Sequence, residues 1–249
     1  MIKLDRLTLP AMLQVSFERY ADRQSLVFVG EERRSYLELR SEVERLGNRL
    51  RNLGIGKGTK VAILSHNMPN ILKHSEAEAI FVSGSLRTKL APEEYPVLRI
   101  LSVENFQELN AADYPAPVVA EKTPVGFEYE DVDEDDLLSV IYTSGTTGKS
   151  KGVMLTHKNI VWNAGQCRFF QPISADDRFL SVLPLSHTFE NTLGLILPVM
   201  HGASVHYLSK PPSPAILLPA LQVVRPTVML VVPLIIEKIY KGKIIPQIN

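Results

Sequence analysis

The chain has 249 residues, 45% hydrophobic and 22% charged, and its 27 basic and 27 acidic side chains leave no formal net charge. A chain of this kind forms one large or two small globular domains that bury roughly 70–75% of the unfolded surface, and it carries no global basic field to recruit nucleic acid or an anionic membrane. Its single cysteine, Cys167, excludes an internal disulfide, argues against a cysteine metal site and fits a reducing cytoplasm.

The N-terminal MIKLDRLTLPAML is interrupted by Asp5 and Arg6 and does not read as a signal peptide. The apolar stretches 193–200 and 228–236 fall far short of the ~20 residues that span a bilayer. Residues 25–29 read as a strand, with Gly30 and Glu31 at a turn. Ser35 and Glu38 have capping-box spacing, and Tyr36, Leu39, Val43, Leu46 and Leu50 then mark one face of a helix that Gly54 ends. Further strands are predicted over 61–64, 79–83 and 97–102. The acidic stretch 128–136 reads as a solvated connector. A β-type run over 138–142 leads into a glycine-rich loop, and 156–169 reads as a helix. Strands are expected at 178–182, 204–207 and 227–232, with helical patterns at 186–200 and 213–224 between them. This alternation predicts an α/β fold with a largely parallel sheet and flanking helices.

The loop is the most informative stretch: Ser144, Gly145, Thr146, Thr147, Gly148, Lys149, Ser150, Lys151, Gly152. Gly145, Gly148 and Gly152 permit close approach of backbone to a ligand, so that successive N–H groups can point into one concavity and cradle an anion. The hydroxyls of Ser144, Thr146 and Thr147 add donors, and Lys149 and Lys151 add charge. Hydrogen bonds to a charged group are worth roughly 1.5–3 kcal/mol each, enough in combination to hold a polyphosphate. The P-loop pattern is not met, because Thr143 stands where that loop needs its first glycine.

The segment YTSGTTGKSKGVMLTH, Tyr142 to His157, resembles the phosphate loop of the adenylate-forming (AMP-binding) superfamily, with Ser150 where that family usually has proline. The resemblance implies that Ser144, Gly145, Thr146, Thr147, Gly148, Lys149 and Lys151 hold the ATP β- and γ-phosphates and that Thr143 helps hold Mg²⁺. LPLSHTFE, Leu183 to Glu190, resembles a motif of the long-chain fatty acid–CoA ligase branch and implies that His187 positions the acyl substrate. On its residues alone, His187 also reads as a helix-terminal or core histidine. His201 and His206 read as structural. Residues 226–243 resemble the same branch and serve classification only.

The implied reaction consumes ATP, a fatty acid and coenzyme A by way of an acyl-adenylate, in a cytoplasmic protein with possible peripheral membrane contact and no nucleic-acid partner. The whole of 1–249 corresponds to a partial N-terminal AMP-binding domain, with a subdomain seam at 121–137. A helix and a strand appear lost between Asn70 and Ile71, and the family's later motifs and small C-terminal domain do not occur, so no catalytic residue is assignable. Other readings stay open: an acyl-AMP ligase, an aryl- or amino-acid activating enzyme, and a non-catalytic nucleotide- or partner-binding fragment.

Overall fold

The computed structural model describes residues 4–63, 69–83, 86, 90, 98–109, 127–144 and 150–240. In chain order the first elements are α1 Leu9–Arg19, β1 Leu26–Phe28, α2 Tyr36–Asn52, β2 Val61–Ile63, α3 Pro69–Ser75, β3 Ala79–Val82 and β4 Arg99–Ser102. Then follow β5 Leu137–Ser144, β6 Ser150–Thr156, α4 His157–Cys167, β7 Arg178–Ser181, a π-helix Glu190–Ile196, α5 Leu197–His201, β8 Ser204–Tyr207, α6 Pro214–Val224 and α7 Pro233–Ile239. The chain forms two units, one of Met1–Arg40, Asp131–Ile141 and Met154–Asn249, the other of Ser41–Glu130 and Tyr142–Val153.

The first unit is built on a parallel sheet ordered β1-β8-β7, with Leu26 opposite Val205 and Phe179 opposite Val205 on the other side. Val27, Phe179, Leu180 and Val205 are buried, so the sheet's apolar runs are its core. Parallel strands bury both faces under crossover helices, and such runs read as apolar rather than alternating. α6 packs Leu217, Ala220 and Val224 against Leu180 and Val182. Its C-terminal carbonyls, Val224 O and Arg225 O, accept from the Arg178 guanidinium at 2.8–3.2 Å. A cation at a helix C-terminus satisfies orphan carbonyls and complements the dipole.

The second unit holds a parallel sheet ordered β2-β3-β4, with Ala79, Ile80, Val82 and Leu101 buried at its centre. The α/β class and the parallel pairing follow the sequence pattern. So does the start of α2, where Ser35 N–H donates to Glu38 Oε2 at 2.7 Å and Glu38 N–H to Ser35 Oγ at 3.1 Å. Gly54 closes α2 at a φ of 72°, a left-handed conformation that glycine adopts without strain.

Three elements differ from the sequence expectation. Residues 150–156, read as loop and helix start, form β6, paired with β5 across a connection too short for anything but an antiparallel pair. Among the described residues, 227–232 make one parallel bridge, Phe179 to Val228, and form no named strand. The helical stretch 186–200 begins as a turn, passes through the π-helix and only then becomes α5. The acidic stretch 128–136 mixes exposed and half-buried residues, and it is tied down. Arg6 forks over Asp131 Oδ1, Val132 O and Asp133 Oδ1 at 2.7, 2.6 and 3.2 Å, and Leu7 N–H donates to Glu134 at 2.8 Å.

α4 carries a complete capping box: Asn159 N–H donates to Thr156 Oγ1 at 3.2 Å and Thr156 N–H to Asn159 Oδ1 at 3.1 Å. Thr156→Ala removes one acceptor for the free helix N–H groups and is expected to cost about 1 kcal/mol in urea unfolding.

Candidate functional site

The loop singled out in the sequence connects β5 to β6. Gly145, Thr146, Thr147, Gly148 and Lys149 lie outside the described residues. What is described is the frame that presents them. β5 runs through Val140, Ile141, Tyr142 and Thr143, residues that suit a pleated strand. Ile141 is buried, while Thr143 and Lys151 are exposed on the two strands next to the loop. The Tyr142 hydroxyl pairs with His74 Nδ1 at 2.8 Å, and the two rings meet edge to face at 87°. Burial pushes the Tyr142 phenol pKa up. Successive strand side chains point to opposite faces, so anchoring Tyr142 fixes Thr143 on the other face.

The first unit contributes a cavity of about 380 Å³, lined by Leu155, Asn159, Ile160 and Asn163 from β6 and α4, and by Thr188, Phe189, Thr192 and Leu193. Of these, Leu155 belongs to the loop segment Tyr142–His157, Thr188 and Phe189 belong to LPLSHTFE, and the rest lie outside both. His187 is exposed on the turn before the π-helix. Its N–H donates to Pro184 O at 3.0 Å and its carbonyl accepts from Asn191 N–H at 2.9 Å. It does not line the cavity, whereas its neighbours Thr188 and Phe189 do.

Glu190, the last letter of LPLSHTFE, was not a candidate from sequence and has the most unusual environment in this unit. It is 1% exposed. Ser181 Oγ on β7 donates to its Oε1 at 2.5 Å, and Oε2 has no hydrogen-bond partner among the described residues. Burial raises its pKa, with the Ser181 hydroxyl opposing in part. The nearby Tyr207 phenol is raised too, by burial first and then by the charge of Glu190. A buried carboxyl disfavours its charged form. Its folded pKa lies above the unfolded value, so the folded state holds the proton more tightly. Its stabilising contribution is complete below the unfolded pKa of 4.5 and is lost as pH rises through the raised folded value. Glu190→Gln should flatten this part of the pH–stability curve measured by denaturant unfolding.

His201 and His206 are half-buried, and burial lowers the pKa of each, as suits structural histidines. Among the described residues no group of three His, Cys, Asp or Glu could hold a metal ion. Thr143 offers one exposed hydroxyl, so a divalent cation there would take its remaining oxygens from phosphate and water, the usual Mg²⁺ arrangement. No helix among the described residues is long and apolar enough to cross a membrane.

The described frame of this site is a parallel α/β fold in which β5 and β6 pair on either side of residues 145–149. The family model for AMP-binding enzymes matches residues 13–72 and 68–247, and the chain belongs to that family. It is 30% identical to feruloyl-CoA synthase of Amycolatopsis sp over 82% of this chain and 45% of that protein. It is 26% identical to long chain acyl-CoA synthetase 3 of Arabidopsis thaliana over 84% of this chain and 38% of that protein. Its fold matches that of O-succinylbenzoate coenzyme A synthetase from Bacillus subtilis in complex with AMP, with a TM-score of 0.75 at 20% identity, covering 93% of this chain and 50% of that one. The chain thus spans half or less of the length of these proteins.

Proposed function

We propose that the intact protein is a long-chain fatty acid–CoA ligase and that this chain supplies its polyphosphate cradle and part of its acyl site. The observation that carries this reading is the pairing of two features in one chain. One is the TSGTTGKSKG loop held between two strands. The other is a cavity of mixed polar and apolar lining to which Thr188 and Phe189 of LPLSHTFE contribute. The branch assignment draws on that motif and on the likeness to long chain acyl-CoA synthetase 3.

In this reading a fatty-acid carboxylate oxygen attacks the α-phosphorus of ATP, and the bond to pyrophosphate breaks. Ser144, Gly145, Thr146, Thr147, Gly148, Lys149 and Lys151 bind the β- and γ-phosphates and stabilise the charge that builds on the leaving pyrophosphate. Thr143 would give one oxygen to Mg²⁺, and the ion would supply further neutralisation of that charge. The coenzyme A thiol then attacks the acyl carbon, releasing AMP and a proton. His187 orients the acid from the exposed turn whose next two residues, Thr188 and Phe189, line the cavity.

We also propose that the chain lacks a helix–strand unit of its family between Asn70 and Ile71. The two family matches meet at residues 68–72. The alignment with long chain acyl-CoA synthetase 3 spans 255 positions but takes up only 84% of this chain, so that relative carries residues without a counterpart here. Among the described residues, α3 is the one element between β2 and β3.

The likeness to feruloyl-CoA synthase favours a second reading, in which the acid is aromatic. Two measurements decide. Calorimetric titration of the 249-residue chain with MgATP should show binding without turnover, and no binding would remove the cradle. Coenzyme A-dependent AMP release by the full-length parent should respond to palmitate and not to ferulate. The reverse response would move the assignment to the aromatic acid.

A further inference from the structure

The buried carboxyl of Glu190 takes no part in the chemistry above, and its surroundings are built to receive it. It starts the π-helix, whose wider turns are shown by the Leu197 N–H donating to Thr192 O. Such turns are rare and concentrate at functional sites. Four residues on, Gly194 leaves room for the carboxyl. A Cβ built there would sit 2.6 Å from both Cδ and Oε1 of Glu190. The helix is therefore notched at Gly194 for its own first side chain, which Ser181 pins to β7 from the other side. Thr188, Phe189, Thr192 and Leu193 of the same segment form one wall of the cavity.

We propose that Glu190 is a positioning residue: docked in the Gly194 notch and held by Ser181, it sets the π-turn that gives the acyl cavity its wall. The inference rests on the reading of that cavity as an acyl site. A cavity wall shifted by one helical repeat presents different side chains, so ligand affinity responds even where the protein stays folded.

The test is calorimetric titration of the 249-residue chain with decanoate and with palmitate, at a temperature where circular dichroism shows every variant folded. Glu190→Ala is expected to weaken binding about tenfold, while Glu190→Gln, which keeps the shape and the Ser181 contact, stays within about threefold of wild type. Gly194→Ala alone should also cost about tenfold, yet add nothing on top of Glu190→Ala, because the two side chains compete for one space. Should Glu190→Ala not fold, Ser181→Ala, which deletes only the orienting hydroxyl, carries the same expectation of weakened binding. Wild-type affinity in these variants, or losses that simply multiply in the double variant, would overturn the inference and leave the acyl reading standing. Failure of the wild-type chain to bind either acid would overturn both.

Discussion

Replacing Lys149 and Lys151 together by alanine is expected to weaken binding of MgATP to this chain about a hundredfold. Each lysine adds a charge-assisted hydrogen bond of roughly 1.5–3 kcal/mol where it is fully engaged. Lys151 is exposed on β6, so solvent screens part of its contribution. The pair together then falls near 2.7 kcal/mol, which is about a hundredfold in a dissociation constant. The backbone N–H groups of the loop remain and should leave weak residual binding. Calorimetric titration at two salt concentrations checks both points: wild-type affinity should fall with salt, and the doubly substituted chain should show a shallower dependence. Unchanged affinity would mean that the loop does not face the phosphates.

The largest stability effect is expected at Gly202, the residue that closes α5. Its φ is 74°, and its N–H donates to Pro198 O and Val199 O. A Cβ at this position would lie 2.4 Å from Tyr20 Cγ. Tyr20 in turn packs on Tyr36, which is fully buried and donates its hydroxyl to Ala203 O at 2.7 Å. Tyr20 is half-buried, but the atom met is Cγ, the root of its ring rather than a flexible end. Gly202→Ala combines left-handed strain of about 1 kcal/mol with overpacking of about 2 kcal/mol, so a loss of about 3 kcal/mol is expected. In a chain of this size that lowers Tm by about 6–12 °C in a thermal scan. An unchanged Tm would mean that the Tyr20–Tyr36 contact is looser than the structure shows.

These two positions illustrate how far the amino-acid sequence alone reaches. The capping box of Ser35 and Glu38, the glycine after α2 and the strands β3, β7 and β8 are written in local patterns, and all are found. β6 was not legible. Met154 is 68% exposed and Val153 40%, so neither face of the strand is buried enough to impose an apolar alternation. The π-helix hides for a different reason, since its apolar residues fit a 3.6-residue period closely enough to read as an ordinary helix. The strand expected at 227–232 shows the opposite error, in which β-branched residues met the propensity but had one bridging partner only.

The site divides in the same way. The loop, Thr143, Lys151 and the LPLSHTFE segment were visible because their residue types and order are unusual in themselves. Glu190 was passed over as the last letter of a motif. One signal was available: a lone acidic residue opening the apolar run Leu193 to Met200, with a glycine four positions later. Only the fold shows that Gly194 and Ser181 close around that carboxyl. The cavity could not be read at all, since half its lining comes from Leu155, Asn159, Ile160 and Asn163, which have plain helical and strand explanations.

The claim at the centre of this reading is that the hairpin loop holds the phosphates of ATP while a fatty-acid carboxylate attacks. ATP–pyrophosphate exchange by the full-length parent protein measures that step directly, before coenzyme A enters. Exchange that depends on octanoate, decanoate or palmitate, and that falls when Lys149 and Lys151 are replaced, is the expected result. Absence of exchange with every fatty acid, or exchange indifferent to the two lysines, would contradict it.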